Sequence, residues 1–294
     1  MALTAHEVYL AQRLPDGGTV FATQKLAEGT DPADASYHTE SSRAIASALR
    51  RGKFVGKDVV SALPMQSLQY KTLRMPPMPD EDLVQAIAWE AAERFQFTDE
   101  QVLQHYGAGQ VKQGSELREE VILLAAERAT VHDHASAIKR SGLMPLAIDA
   151  TGAALARLLG AGNGPTLIVH MGEAMAEIVG TRGTRVIFDK PINLTRSGND
   201  IDSAALGREL GLCLRYLSVT FGVHKPDAVY LAGQGATHAL GEELAGCLPA
   251  PIALAGQAPA LAGVVFPGPD PSPWLIPLGL ALRGQEPAAQ KEAA

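Results

Sequence analysis

The sequence is poor in the features that mark metal-binding and nucleic-acid-binding proteins. It has two cysteines, Cys213 and Cys247, and neither lies in a CxxC or Cys/His spacing that would bind zinc. Both fall on the apolar side of a predicted helix, so we expect buried core thiols. The net charge of −7 argues against nucleic acid as the main partner.

The sequence also lacks a secretion signal and a membrane span. The N-terminal residues MALTAHEVYL include neither the basic region nor the apolar region of a signal peptide. The longest apolar stretch, residues 251–268, is interrupted by proline and glycine and is shorter than the ~20 residues that a membrane helix needs. With 46% hydrophobic and 19% charged residues, the chain should form a packed core. We expect a cytoplasmic protein without direct membrane insertion.

Common catalytic motifs are absent as well. Residues 160–165, GAGNGP, lack the Lys-Ser/Thr of a Walker loop and precede a strand, so we predict a hinge there. No G-x-S-x-G motif occurs, and Ser61 has no obvious base partner in the sequence. His132 and His134 are two residues apart, so they should face different sides of a helix. We therefore predict no catalytic residue and no metal ligand.

The first half of the chain alternates strands and helices. The turn residues PDGG separate two predicted strands at 6–12 and 18–25. A helix is predicted at 39–51, where apolar residues recur at helical spacing. The stretch PDEDLVQAIAWEAAERF predicts another helix, because acidic residues begin it and an apolar stripe follows. Its stripe is Leu83, Ile87 and Ala91.

The second half has three successive strands, followed by alternating helices and strands. The strands are predicted at 166–171, 175–180 and 184–190, followed by a helix within 200–221, a strand at 227–232, a helix at 238–248, a strand at 252–254 and a helix at 275–283. This order is typical of a ribonuclease-H-like module, whose helices cover both faces of a mixed sheet. Two such modules around a cleft form an actin-like fold of the α/β class. The first half has only two strands before its first helix, so its first strand is predicted to be missing.

Two short stretches are candidates for a phosphate site in such a cleft. Gly172 lies at the turn of the hairpin LIVHMGEAMAEIVG. A second turn, residues 232–236 (AGQGA), follows a strand and precedes a helix, so its glycines could let an anion approach the backbone. A tight strand-to-helix connection would use the same glycines, and this alternative stays open. The candidate cofactor-binding residues are Gly172, Gly233, Gly235 and Ala236.

Residues 61–97, SALPMQSLQYKTLRMPPMPDEDLVQAIAWEAAERFQF, resemble the signature region of PilM, the actin-like cytoplasmic protein of type IV pilus assembly. They share its LP strand end, its MP dipeptide and an acidic helix that runs into the aromatic-ended pattern EAAERFQF. The later stretches EEVILLAAERATVHDHASAIKRSGLMPLAIDAT and PDAVYLAGQGATHALGEELAGCL are also similar to that family. The resemblance covers nearly the whole chain and implies an FtsA-related actin-like fold with an inserted α+β subdomain.

The resemblance implies four segments. We expect a first actin-like subdomain at 1–60, the inserted subdomain at 61–145, a second ribonuclease-H-like module at 146–284 and a flexible tail at 285–294. In the PilM family, the cytoplasmic peptide of the membrane protein PilN binds in a groove between the first subdomain and the inserted one. The aromatic residues Trp89, Phe95 and Phe97 could line that groove or belong to the core.

Three departures from the family pattern concern the nucleotide cleft. The opening Asp-Ile-Gly-Ser phosphate loop is expected to be absent, because MALTAHEVYLAQ resembles the strand that follows it. His170 stands where the family has the metal-organising Asp of the second hairpin, and Mg²⁺ prefers carboxylate oxygens to imidazole. Glu173 could supply a carboxylate from a neighbouring position. The insert that follows residues 198–200 in the family is expected to be missing.

These observations give three functional hypotheses. The first is a non-catalytic PilM-like adaptor with a degenerate ATPase site that binds no cofactor or only weak ATP and Mg²⁺. It would bind the N-terminal peptide of a PilN-like inner-membrane protein and so be cytoplasmic and peripheral to that membrane. The second is an ATP-binding or ATP-hydrolysing actin-like protein. The third is a polymerising scaffold, for which self-association would be required.

Overall fold

The structure is a computed structural model, and it describes residues 1–32, 34, 36–160, 162, 164–197 and 200–283. The predicted flexible tail at 285–294 lies outside the described residues. So do parts of the predicted hinge and of the 198–200 turn.

The elements of the first half follow the predicted order, with additions. They are β1 (Ala2–Leu3), β2 (Glu7–Arg13), β3 (Thr19–Lys25), α1 (Tyr37–Arg51), β4 (Asp58–Leu63), β5 (Gln69–Met75), α2 (Asp80–Phe95), β6 (Gln101–Gln113), β7 (Glu116–Glu127), α3 (Arg128–Arg140), β8 (Met144–Ala150) and α4 (Thr151–Leu159). The 13-residue strand β6 was not predicted.

The elements of the second half are close to those predicted. They are β9 (Pro165–Met171), β10 (Met175–Arg182), β11 (Arg185–Asn193), β12 (Arg196–Ser197), β13 (Asp200–Ile201), α5 (Ser203–Phe221), β14 (Ala228–Gly233), α6 (His238–Ala245), β15 (Ile252–Leu254) and α7 (Leu275–Arg283). The short pair β12 and β13, which forms a two-stranded ladder before α5, was not predicted.

The sheet of the second module has the order β11-β10-β9-β14-β15. The first three strands are antiparallel, whereas β14 pairs in parallel with both β9 and β15. Most apolar residues of β9 and β10 are buried, because helix α5 packs on one face of the sheet and α4 on the other. The predicted ribonuclease-H-like order is therefore confirmed, and the fold is α/β and actin-like.

The first module has a similar order of strands, divided into two sheets, and corrects one prediction. Strands β1, β2 and β3 form an antiparallel sheet, and β4 pairs in parallel with β8. The nitrogen of Met1 donates a hydrogen bond to the carbonyl oxygen of Val60 at 2.8 Å, which holds β1 alongside β4. The first strand was expected to be missing, but it is present as the two residues Ala2 and Leu3. Two residues are too few to show the alternation by which a strand is recognised in a sequence.

The inserted subdomain is a three-stranded antiparallel sheet of order β5-β7-β6, covered on one face by α2. The predicted stripe Leu83, Ile87 and Ala91 is buried against the sheet, where Leu73 and Val121 meet it. The other face of the sheet turns towards the two modules and contributes to the central core. The division of the chain at residues 60, 145 and 284 remains a prediction.

Helices α4 and α7 form the centre of the molecule. They pack so closely that a Cβ atom added to Gly279 would lie 2.0 Å from the carbonyl oxygen of Ala154. One buried cluster joins side chains of these helices with side chains of the insert and of the second sheet. In the described part of the chain, no helix is long and apolar enough to cross a membrane.

The two cysteines differ in their surroundings. Cys213 is buried in the core of the second module, as predicted. Cys247 is exposed, so the expectation of two buried thiols was wrong for this residue. Helix α6 ends at Ala245, three residues earlier than predicted, and Cys247 therefore lies beyond the end of the helix.

Candidate functional site

Two β-hairpins of the same geometry face each other across the cleft between the modules. Leu3 pairs with Val8 in the first hairpin, and Met171 pairs with Ala176 in the second. Each connection therefore has four residues, residues 4–7 and 172–175. Each turn is closed by one backbone hydrogen bond, from Thr4 to Glu7 at 2.9 Å and from Gly172 to Met175 at 2.7 Å.

The matching registers identify equivalent positions in the two hairpins. Ala2 pairs with Tyr9 two positions before the first turn, and His170 pairs with Glu177 two positions before the second turn. The first phosphate hairpin was expected to be absent, and this expectation was wrong for the backbone. The turn is present, but Ala2 stands at the strand position that His170 occupies in the second hairpin, so neither position has a carboxylate.

The hairpins line a cavity of about 440 Å³ together with residues from four other parts of the chain. From the hairpins come Ala2, Leu3, Thr4, Ala5, His6, Tyr9, His170, Met171, Gly172 and Glu173. From elsewhere come Ala62, Pro64, Met65, Gln66, Thr151, Gly233, Gln234, Asp270, Ser272, Pro273 and Ile276. Of the four candidate cofactor-binding residues, Gly172 and Gly233 line the cavity, whereas Gly235 and Ala236 are not among its lining residues.

His170 cannot supply positive or negative charge to this cavity near neutral pH. Burial lowers the pKa of its imidazole to about 4, so the ring is neutral at pH 7. Its Nδ1 atom is buried and has no hydrogen-bond partner among the described residues. A neutral imidazole neither replaces a carboxylate as a Mg²⁺ ligand nor attracts phosphate as a cation would.

Carboxylates are nevertheless present at the rim of the cavity. Glu173 lies in the turn of the second hairpin, and Asp270 approaches from the loop before α7, where it accepts a hydrogen bond from the Ser272 backbone. Among the described residues, no group of three or more histidine, cysteine, aspartate or glutamate side chains is arranged to hold a metal ion.

The glycine-containing turn after β14 is packed against its own chain. Gly233 has φ of +86°, and a Cβ atom there would lie 2.1 Å from the carbonyl oxygen of Met171. A Cβ atom on Gly235 would lie 2.9 Å from the side chain of Ile201. The need for these two glycines thus has a structural explanation without a ligand, which is the alternative that the sequence left open.

Arg196 ties this turn to the second hairpin. Its guanidinium donates hydrogen bonds to the carbonyl oxygens of Glu173 at 2.8 Å, Gly172 at 2.7 Å and Gln234 at 3.0 Å. These loops are therefore held together by a cation of the protein itself, and the carbonyl oxygens that face it are already in use.

A buried pair of acidic side chains lies beneath the cleft, and sequence reasoning missed it. Glu177 of β10 accepts hydrogen bonds from the hydroxyls of Tyr70 at 2.8 Å and Thr151 at 2.6 Å. Asp189 of β11 lies next to Glu177, and both carboxyls pack onto Gly152. Burial raises the pKa of both groups, and the charge of Glu177 raises that of Asp189 further. An acidic residue inside the apolar strand MAEIVG was the signal available in the sequence.

A second buried polar group joins the insert to the central helices. Asp149 accepts a hydrogen bond from the Tyr106 hydroxyl at 3.2 Å and forms ion pairs with Arg157 at 2.6 Å and Arg283 at 2.9 Å. Burial opposes the charge of Asp149, but the two arginines outweigh this effect and hold its pKa below the usual value. With Tyr70 and Glu177, these contacts dock the insert onto the rest of the chain.

Ser61 has a base partner after all. Its hydroxyl lies 2.7 Å from Nε2 of His134, a contact that joins β4 to α3. Ser61 is 0% and His134 4% exposed, so no substrate can reach the pair. The pair is a buried structural contact. His132, two residues before His134, is exposed, which confirms the prediction that the two histidines face different sides of the helix.

A narrow crevice of about 60 Å³ lies between the insert and the first module. Its lining is mostly apolar and consists of Leu63, Leu68, Val102, Gln104, Leu124, Ala126, Val131, Ile148, Asp149 and Ala150. The candidate groove residues are not among them. Phe97 is buried in the core of the insert, Phe95 packs beside it at a ring distance of 5.8 Å, and Trp89 is 70% exposed on the outer face of α2.

Comparison with known proteins supports the fold. No family model matches the sequence, and a search of curated protein sequences gives no match either. A chain of a PilM–PilN type IV pilus biogenesis complex superposes with a TM-score of 0.73 at 19% identity, covering 97% of this chain and 98% of that one. The PilM resemblance of the sequence is thereby confirmed at the level of the fold.

Two further structures are more distant. A Bacteroides thetaiotaomicron protein with an actin-like ATPase fold is 11% identical, covers 83% of this chain and 90% of its own, and has a TM-score of 0.45. The cytoplasmic domain of EpsL, an inner-membrane component of the Vibrio cholerae type II secretion system, is 10% identical, with coverages of 93% and 94% and a TM-score of 0.43.

Proposed function

We propose that this chain is a PilM-like adaptor of a type IV pilus or type II secretion-like inner-membrane platform. It binds the cytoplasmic peptide of a PilN-like membrane protein and is thereby held, as a cytoplasmic protein, at the inner membrane. The observation that carries the proposal is the likeness to a chain of a PilM–PilN complex over 97% of the length, which includes the insert.

The crevice between the insert and the first module is the proposed peptide site. Its walls come from β4 and β8 on one side and from β6 and β7 on the other, and most of its side chains are aliphatic. Among the described strands, β8 pairs with β4 on one edge, and the crevice residues Ile148 and Ala150 come from β8. An extended peptide suits such a site, because alternate side chains can enter a narrow apolar crevice while the backbone follows a strand.

Binding of the peptide tests this proposal. We expect the full chain to bind a synthetic N-terminal peptide of the cognate PilN-like protein in a calorimetric titration. Val131→Asp places a charge in the crevice and should weaken binding about tenfold or more, which corresponds to ~1.4 kcal/mol. Val265→Asp is the matched control, because Val265 is 85% exposed and remote from the crevice lining.

The outcome can contradict the proposal in two ways. Absence of binding by the unaltered chain at peptide concentrations up to ~500 µM would count against the adaptor function. Equal affinity of the Val131→Asp variant, with a thermal unfolding curve like that of the unaltered chain, would place the peptide elsewhere. The control variant should bind as the unaltered chain does.

The cleft is proposed to bind no nucleotide or only weak ATP and Mg²⁺. Support comes from Ala2 and His170 at equivalent strand positions of the two hairpins, where neither side chain offers a carboxylate to Mg²⁺. Glu173 and Asp270 at the rim favour the second candidate, an ATP-binding actin-like protein.

Thermal unfolding with Mg-ATP distinguishes these two candidates. A ligand at 100 times its dissociation constant stabilises a protein by about 2.7 kcal/mol, so low-micromolar binding would raise the melting temperature clearly at ~1 mM ATP. We expect no such rise. His170→Asp alone is also expected to give none, because Ala2 still stands at the equivalent position of the first hairpin. A strong rise in the unaltered chain would favour the ATP-binding candidate, whereas a rise in the variant alone would show that His170 is the one residue that prevents binding.

A further inference from the structure

One segment of the first module concentrates positive charge on an otherwise acidic chain. Residues 49–57, LRRGKFVGK, include four basic and no acidic residues, whereas the whole chain has 32 acidic and 25 basic residues. The segment joins the last turn of α1 to the start of β4. All four basic residues are exposed, and in the described part of the chain none of them forms an ion pair: Arg50, Arg51, Lys53 and Lys57.

The end of the helix explains only part of this charge. Arg50 and Arg51 lie in the last turn of α1, where the helix dipole favours cations. Lys53 and Lys57 lie beyond the helix, where that effect has fallen off. Cations this close together repel one another, and an anionic partner would relieve the repulsion.

The same loop holds an apolar side chain out into solvent. Val55 is 72% exposed. Its backbone is fixed from both sides by the side-chain amide of Gln12, which donates to the carbonyl oxygen of Val55 at 2.7 Å and accepts from its N–H at 2.9 Å. Gly56 follows with φ of +85°, a conformation that suits glycine at a tight turn. The structure therefore presents Val55 in a defined position between Lys53 and Lys57.

The end of α3 extends this surface. The N–H of Met144 donates to the carbonyl oxygen of Lys57 at 2.8 Å, so the turn after α3 adjoins the loop. Lys139 and Arg140 are exposed at the end of α3, and Leu146, 56% exposed, lines with Val55 a groove of about 380 Å³. The two segments 49–58 and 135–146 contain one acidic residue, Asp58. We call the following residues the basic surface: Arg50, Arg51, Lys53, Val55, Lys57, Lys139, Arg140 and Leu146.

We propose that the basic surface contacts the anionic headgroups of a phospholipid bilayer, with Val55 at the level of the headgroups. Clusters of four to eight lysines and arginines are attracted to anionic bilayers, and an apolar side chain that leaves water there adds to the attraction. The contact is made by surface side chains and needs no membrane-spanning segment.

The shape of the surface favours lipid over an acidic protein. The core of a protein interface is a packed apolar area in which aromatic residues are enriched. Here the exposed apolar part is one valine at a loop and one leucine on a strand, and the cations surround them. Lipid phosphates are mobile within the bilayer and can gather around separate cations, whereas a folded partner would need charges at matching positions.

Such a contact should be weak and should depend on salt. Attraction between exposed charges is screened, with a Debye length of ~10 Å at 0.1 M and ~3 Å at 1 M. Stable attachment to a bilayer generally takes two signals, so the basic surface alone should give reversible binding. A bilayer-borne peptide in the crevice would be a second signal, but the lipid contact is proposed independently of it.

Co-sedimentation of the full chain with lipid vesicles tests the inference, in the absence of peptide and nucleotide. We expect binding to vesicles of phosphatidylcholine and phosphatidylglycerol in equal parts at ~0.1 M salt, and its loss at ~1 M. Vesicles of phosphatidylcholine alone should bind little, because their headgroups have no net charge.

Charge reversal at two positions identifies the surface. Lys53→Glu, Lys57→Glu should weaken binding to the anionic vesicles at least about tenfold, since two attractive charges become repulsive. Arg208→Glu, Arg215→Glu is the matched control: both arginines are exposed on α5 of the second module, and the net charge changes by the same amount. The control should bind as the unaltered chain does.

A second pair of variants tests the apolar contribution. Val55→Asp should weaken binding several-fold or more, because it removes the apolar side chain and adds a negative charge at the centre of the surface. Val265→Asp is its control, because Val265 is 85% exposed and lies outside the basic surface. Thermal unfolding curves like that of the unaltered chain confirm that all four variants fold.

Four results would overturn the inference. One is an unaltered chain that does not bind the anionic vesicles at ~0.1 M salt. A second is equal binding to the uncharged vesicles. A third is an equal loss of binding in the two charge-reversal variants. The last is binding of soluble polyglutamate by a chain that does not bind vesicles, which would assign the surface to an acidic protein. Each leaves the adaptor proposal untouched, because that proposal is tested with peptide and without lipid.

Discussion

At the scale of single residues, two side chains at equivalent positions of the hairpins determine the charge of the cleft. Ala2 and His170 occupy the same register in two hairpins of the same geometry, and neither side chain carries charge at pH 7. The acidic side chains lie one layer deeper, at Glu177 and Asp189, where two hydroxyl groups donate hydrogen bonds to Glu177 and burial raises the pKa of both carboxyls. The surface of the cleft is thus mostly uncharged, and its acidic pair is sealed beneath it.

The buried histidines make stability depend on pH in a definite direction. Burial, with help from the charges of His38 and the N-terminus, lowers the pKa of His134 to about 4, against about 6.5 in the unfolded chain. Its contribution to stability is therefore present above pH 6.5 and is lost as the pH falls towards 4. Between pH 7 and pH 5 the loss is about 2 kcal/mol.

This predicts that His134→Gln reduces the loss of unfolding free energy between pH 7 and pH 5 by about 2 kcal/mol. Chemical denaturation at several pH values measures this difference. His170, with a pKa also lowered to about 4, keeps part of the dependence in the variant. His132→Gln is the control, because His132 is exposed on the same helix, and an equal effect of both replacements would refute the explanation.

At the scale of secondary structure, periodicity predicted most helices and strands, and failed where the pattern is short or mixed. Helix α7 and strand β15 have the predicted bounds, 275–283 and 252–254. Strand β6 was missed, because its glutamines, its glycines and a bulge between Gly107 and Gly109 break the alternation of apolar residues. Strand β1 was missed because a strand of two residues is too short to show an alternation of apolar and polar residues.

The contact between α4 and α7 gives the prediction at this scale. Gly279→Ala would bring a methyl group to 2.0 Å from the backbone oxygen of Ala154, and backbone cannot move aside as a flexible side chain can. We expect a loss of about 1–3 kcal/mol or more in unfolding free energy. Gly211→Ala on the exposed side of α5 is the matched control, since nothing lies within 4 Å of its added methyl group.

The control should behave in the opposite sense. Alanine in a helix is favoured over glycine by about 0.8–1.0 kcal/mol, so Gly211→Ala should stabilise the chain slightly. Urea denaturation of both variants measures the difference. A neutral Gly279→Ala variant would mean that the two central helices can separate without cost, contrary to their close packing.

At the scale of the whole molecule, the insert and the two modules share one core. The central cluster combines Tyr106 and Leu124 of the insert with Ile168 of the second sheet and Leu275 of α7. Buried polar contacts from Tyr70 and Tyr106 reinforce this junction. The parts are therefore expected to unfold together, in spite of the cleft between them.

The two tryptophans report on this cooperativity. Trp89 lies on the insert, whereas Trp274 is buried at the end of the cleft, where Tyr9 and Phe21 contact its ring. Trp274→Phe leaves Trp89 as the fluorescent reporter, and Trp89→Phe leaves Trp274. We expect each variant's fluorescence midpoint in urea to coincide with its own circular dichroism midpoint. An earlier transition at Trp89 would show that the insert unfolds separately.

The sequence by itself determined the order of elements and the ribonuclease-H-like arrangement of the second module, because apolar periodicity and turn residues act locally. Its short motifs carried the resemblance to PilM. Tertiary structure decided the rest. It brings Ser61 into contact with His134 and places Glu177 next to Asp189. It also gives Ala2 and His170 equivalent positions in two separate hairpins. Such contacts depend on strand register and helix packing, and no local pattern encodes them.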